Sequence, residues 1–78
     1  MTLADFENYL YQGNELAKTG ERLSVLRKEK KLSLRKLGEL TDIPYRHISE
    51  MENGKRAIGK KNAQKLAKVL DTDYRFLM

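Results

Sequence analysis

The stretch LSLRKLGELTDIPYRHISEMENGKR, Leu32 to Arg56, reads as two short helices joined by a tight turn. Ser33 suits an N-cap, because its hydroxyl can accept a hydrogen bond from a free N–H of the first helical turn. Leu34, Leu37 and Leu40 recur at helical spacing and carry that helix to about Thr41. Asp42, Ile43 and Pro44 end it, since the residue before a proline is pushed out of the α region. Pro44 has its φ preset and lacks an N–H, so it fits the first turn of a second helix. That helix holds Tyr45 to about Asn53, and Gly54 supplies a left-handed cap.

The second helix has two unlike faces. At about 100° per residue, Ile48, Met51 and Glu52 share one side with Pro44, while Arg46, Ser49, Glu50 and Asn53 share the other. Tyr45 and His47 lie on the flanks. The apolar side must pack inward. The outward side offers donors, acceptors and rings rather than the Lys/Glu mixture of a solvated helix, and Gly54-Lys55-Arg56 follows it. Such a face on a short helix suits the major groove of DNA.

These residues resemble the helix-turn-helix of the phage repressor/Cro, or Xre, family, with the ISEMENGKR run as the specific part. The resemblance covers about Gly20 to Leu77. It departs from the usual pattern where Asp42 stands in place of a turn glycine and Pro44 in place of a capping Ser or Thr. Asp tolerates the left-handed region. Leu34 stands where the family often has a polar contact to the DNA backbone, and can make only an apolar one. The resemblance implies an all-α bundle of about five short helices, lambda repressor-like, over residues 14–78, preceded by an N-terminal extension at 1–13. It further implies that Arg27 pairs with Glu52.

Working toward the N-terminus, Leu16, Gly20, Leu23, Leu26 and Arg27 form the stripe of a helix that starts at about Asn14 or Thr19 and ends at Lys30. Gly20 there is unfavourable by about 1 kcal/mol against Ala, which close helix contact can offset. Arg22, Lys28, Lys30 and Lys31 read as a solvated face. Independently of the resemblance, an inward carboxylate at Glu52 must find a cation. Met1 to Gly13 has Leu3, Phe6 and Leu10 near helical spacing. It reads either as a helix laid over the domain or as a segment that binds a partner protein.

Toward the C-terminus, Ile58 anchors a short loop. GKKNAQKLAKVL then forms a helix with Ala63, Leu66, Ala67 and Leu70 inward and Lys61, Lys65 and Lys68 outward. Lys60 and Lys61 sit where cations oppose the helix dipole, which makes sense beside phosphate. Thr72 or Asp73 caps a last short helix. Tyr74, Phe76, Leu77 and Met78 either close the core or form a dimer contact.

Composition narrows the function classes. The 78 residues make one small domain, marginal unless its core is efficient or it oligomerises. With no cysteine and one histidine, disulfides and zinc-thiolate sites are excluded and a His-based metal site is disfavoured. No membrane span or signal peptide is apparent, so a cytoplasmic protein is expected. All 16 basic side chains lie in residues 18–78 against 8 acidic ones, whereas residues 1–17 hold Asp5, Glu7 and Glu15 and no base. The basic part is where a polyanion would bind. No nucleophilic triad, paired carboxylates or phosphate loop points to an enzyme, and no cofactor is expected.

The expected function is therefore that of a sequence-specific DNA-binding repressor, acting as a homodimer on a palindromic operator. Tyr45, Arg46, His47, Ser49 and Glu50 are the base-reading candidates. Arg46 can bind guanine O6 and N7, and Glu50 can accept from cytosine N4. Arg46 and Glu50 could instead pair with each other, four apart on a helix surface. Asn53, Lys55, Arg56, Lys60 and Lys61 are the phosphate candidates. An antitoxin with a toxin bound through residues 1–13, a phage-type repressor and a restriction-modification controller all fit this class. The alternative is a protein-interaction adaptor of the same fold without DNA binding.

Overall fold

Four α-helices and a terminal 3-10 turn make up residues 17–78, the part of the chain that the computed structural model describes. The expectations for Met1 to Gly13, for Leu16 and for a helix start at Asn14 lie outside the described residues. Helix α1 covers 17–29, so it is already formed before Thr19, and Lys30 is the first residue of the turn that follows. Helix α2 spans Leu34–Thr41, α3 Tyr45–Glu52 and α4 Lys60–Leu70. The expected fifth helix is a single 3-10 turn, Tyr74–Leu77. Among the described residues there is no strand, and no helix is long and apolar enough to cross a membrane.

Helix α2 and the 3-10 turn start with the expected capping chemistry. The Ser33 hydroxyl accepts from the Lys36 N–H at 3.0 Å, and the Asp73 carboxylate accepts from the Arg75 N–H at 2.9 Å. Pro44 is displaced by one position from the expectation. It is the N-cap residue of α3, with extended backbone (φ −53°, ψ 130°), and is exposed rather than packed beside Ile48. Its carbonyl accepts from the N–H groups of His47 and Ile48 at 2.9 and 3.3 Å.

The helix ends share one device. Lys31, Asp42, Gly54 and Asp71 all have positive φ, between 57° and 70°. Beyond each, an N–H reaches back five residues: Leu32 to the Arg27 carbonyl, Ile43 to Gly38, Lys55 to Glu50 and Thr72 to Ala67, at 2.8–3.3 Å. This closure satisfies carbonyls that a helix end would leave bare. Only one of the four left-handed residues is a glycine, and a side chain in that region is strained.

The core gathers one stripe from each helix. Leu23, Leu37, Ile48, Met51, Leu66, Leu70 and Leu77 are fully buried, each contributing about 1.5–3 kcal/mol. Ile58 anchors the loop before α4, and Ala63 and Ala67 let α4 lie close to the other helices. Helix α2 packs on α3 and α4, and α4 on the 3-10 turn. Leu34 joins this core from its edge. Leu40, the third residue of the expected apolar row, is about half exposed. Its neighbour Thr41 is buried instead, with its hydroxyl donating to the Leu37 carbonyl at 2.7 Å.

At the chain end only part of the apolar run closes the core. Leu77 is fully buried and Tyr74 packs against the core, whereas Phe76 and Met78 are about half exposed. Arg22 does not belong to a solvated face. Its guanidinium lies 4.8 Å from the Phe76 ring centroid and donates to the Phe76 carbonyl at 3.2 Å.

Candidate nucleic-acid interface

Helix α3 is fixed by its inner side and its C-terminal end. Ile48 and Met51 are sunk in the core. At the far end Gly20 of α1 presses on the α3 backbone. A Cβ there would stand 2.5 Å from the Met51 oxygen and 2.7 Å from the Glu52 oxygen. That contact accounts for a glycine inside α1 despite its poor helix propensity.

Glu52, the inward acid, meets Arg27. The guanidinium donates through Nε to Oε2 at 2.6 Å and through Nη2 to Oε1 at 3.0 Å. Its Nη1 donates to the Leu32 carbonyl at 2.8 Å, so one side chain ties α1, the turn after it and α3. The hydrogen bond to Glu52 holds the Arg27 pKa above its ordinary value against the opposing effect of burial.

The outward side of α3 presents the expected residues. Arg46 and Asn53 are exposed, and Tyr45, His47, Ser49 and Glu50 are half-buried. Their partners differ from the expectation in two respects. Glu50 does not pair with Arg46 but with Arg56, at 3.6 Å, across the turn that ends the helix. Asn53 folds back on its own helix, its amide donating to the Ser49 carbonyl at 2.7 Å. Lys55, Lys60 and Lys61 are exposed and have no ion pair among the described residues.

Two neighbours of this surface were not singled out in the sequence. Arg35, on α2, lies over the Tyr45 ring at 5.2 Å from its centroid. Arg46 and then Arg35, both cationic, hold the Tyr45 phenol below the ordinary tyrosine range. Gly38 is the second. A Cβ on it would come within 2.8 Å of the Ile43 oxygen and 3.3 Å of the Tyr45 Cβ and N, so the turn crosses α2 there. An arginine two residues after an N-cap and a glycine mid-helix give no signal until the helices are placed together.

Chemically, the surface offers hydrogen-bond donors and cations with one carboxylate among them. Among the described residues, no group of His, Asp and Glu is arranged to hold a metal ion.

Comparison with known proteins gives concordant findings. A family model described as helix-turn-helix matches residues 23–77. The chain is 40% identical over 60 residues to the HTH-type transcriptional repressor RghR of Bacillus subtilis (strain 168), a match covering 76% of this chain and 44% of that protein. The chain thus spans less than half the length of that relative. The crystal structure of the restriction-modification controller protein C.AhdI from Aeromonas hydrophila superposes with a TM-score of 0.77 at 35% identity. That match covers 83% of this chain and 98% of the controller.

Proposed function

The chain belongs to the helix-turn-helix family, in its Xre-like branch, and on that premise we propose that it is a sequence-specific DNA-binding transcriptional regulator, a repressor acting as a homodimer on a palindromic operator. The observation that carries this reading is the division of labour on α3. Its inner side is consumed by Ile48, Met51 and Glu52, while Arg46, Ser49 and Glu50 lie on its outer side, and Lys55, Lys60 and Lys61 are exposed without an ion pair among the described residues.

In this reading α3 lies in the major groove. Arg46, near its start, meets guanine O6 and N7, and Glu50 accepts from cytosine N4 while Arg56 turns to phosphate. Tyr45, His47 and Ser49 complete the base-reading set. Asn53, Lys55, Arg56, Lys60 and Lys61 lie along the backbone and release counterions on binding. The half-exposed Val25, Phe76 and Met78 support a second copy as the partner that would place two α3 helices on one face of the duplex. The protein works in the cytoplasm, with its DNA.

Within this class, the likeness in fold to a restriction-modification controller protein supports the controller reading. The antitoxin reading needs a toxin bound through residues 1–13, and a pull-down with and without that segment decides it.

Binding to a randomised duplex pool at several salt concentrations tests the main reading. The expected result is enrichment of a palindrome with half-sites about one helical turn apart and a steep salt dependence. Absence of binding would leave the adaptor reading. Binding without enrichment would remove sequence specificity.

A further inference from the structure

Resting on the reading of α3 as the base-contacting helix, we propose that Arg35 is a positioning residue for that contact: its guanidinium holds the Tyr45 ring where Tyr45 and Arg46 meet the bases. Arg35 is the second residue of α2 and Tyr45 the first of α3, so the contact bridges the turn that sets the angle between the two helices. The separation of 5.2 Å falls within the range of about 6 Å over which a cation is attracted to a ring face.

Three further observations bear on this seat. Gly38, one turn beyond Arg35, allows the root of the ring to lie against the α2 backbone, since a Cβ there would crowd the Tyr45 Cβ and N at 3.3 Å. The nearest acid on the same helix, Glu39, is paired with Lys36 at 3.8 Å, and Arg35 has no carboxylate partner among the described residues. The ring is therefore the group that orients Arg35, and Arg35 the group that caps the ring. Lastly, Arg46 and Arg35 act on the same phenol, which lowers its pKa and links the seat to the guanidinium expected to meet guanine.

Planarity is what separates positioning from simple charge. Lysine keeps the cation for a phosphate but loses the flat guanidinium that stacks on a ring. The experiment compares wild type, Arg35→Lys, Tyr45→Ala and the double variant on a randomised duplex pool and by salt titration on the selected site. Arg35→Lys is expected to keep the salt slope yet lower base preference about two- to fivefold, the worth of an exposed cation–π contact. The loss should fall on the base pairs that Tyr45→Ala relaxes, and add nothing in the Tyr45→Ala background. A DNA-free readout accompanies it: the Tyr45 ring carbon beside the hydroxyl, followed by NMR, titrates at higher pH in Arg35→Ala than in wild type.

Wild-type preference in Arg35→Lys, or additivity with Tyr45→Ala, would overturn the positioning role in favour of a backbone contact. An unmoved Tyr45 titration would show that the two groups do not act on each other. A wild-type protein without any base preference would instead refute the DNA reading itself, while the titration still reports on the contact.

Discussion

Arg27 and Glu52, 25 residues apart, meet through two parallel hydrogen bonds at 2.6 and 3.0 Å, with only 13% and 10% of their side chains exposed. The pair joins the C-terminal part of α1 to the last residue of α3. Arg27→Ala and Glu52→Ala should each lose about 3 kcal/mol, because removing one partner strands a buried charge. The double variant should lose less than the two together. Urea denaturation of all three checks this, and single variants as stable as wild type would show that the pair holds nothing.

Gly20→Ala gains about 1 kcal/mol of helix propensity but places a methyl 2.5 Å from a backbone oxygen of α3. Backbone cannot rotate away as a flexible side chain can. The net expectation is a loss of about 1–3 kcal/mol, the usual penalty of overpacking. Thermal melts should show a lower midpoint. A higher one would mean that α1 and α3 are not in contact there.

Lys31 and Asp71 hold left-handed backbone with side chains attached. Lys31→Gly and Asp71→Gly should each stabilise the fold by up to about 1 kcal/mol, after the extra freedom glycine gives the unfolded chain is subtracted. For a domain this small that amounts to several degrees in Tm. Lys31→Ala, which relieves no strain, is the control and should stay near wild type.

Arg46→Ala and Lys55→Ala should fail differently on DNA. On the proposed reading Arg46, near the start of α3, reaches a base edge, so its loss should weaken the best site by about 1–3 kcal/mol and relax preference at one base pair. Lys55 follows the helix. Its loss should weaken all duplexes alike and lower the salt slope by about one unit per subunit. Titrations against the operator and a scrambled duplex at several salt concentrations separate the two. The reverse pattern would place α3 across the backbone instead of in the groove.

Glu50 faces the same surface and is held by Arg56 at 3.6 Å. Glu50→Gln should tighten binding to the scrambled duplex more than to the operator, since it removes a charge that repels phosphate and frees Arg56 to meet it. Equal gains on both duplexes would mean that Glu50 contributes no base preference.

Much of this arrangement could be read from residue order alone. Ser33, the leucine spacing, Asp42-Ile43-Pro44 and Gly54 marked the ends of α2 and α3 because caps and breakers act within one helical turn. The inward face of α3 implied a cation for Glu52, and the family resemblance named Arg27. What escaped the sequence lies between elements. Periodicity assigns a face, not a neighbour, so Arg22 on Phe76, Arg35 on Tyr45 and Gly38 under the turn had no signature. Likewise Glu50 had two arginines in reach, Arg46 along the helix and Arg56 across the turn, and only the path of the chain after Gly54 decides between them. Thr41 rather than Leu40 is buried because it stands four residues after Leu37 on the same helical face, where its hydroxyl can bond its own helix.

The way α1 grips α3 has a consequence for how such proteins diverge. The grip acts on backbone oxygens at the far end, with Glu52 as its side-chain clasp. None of it involves Arg46, Ser49 or Glu50. These three side chains are therefore exempt from the contact by which α1 holds the helix. On the proposed DNA reading, retargeting would require only exchanges on that outer surface, with the scaffold that holds the helix left unchanged.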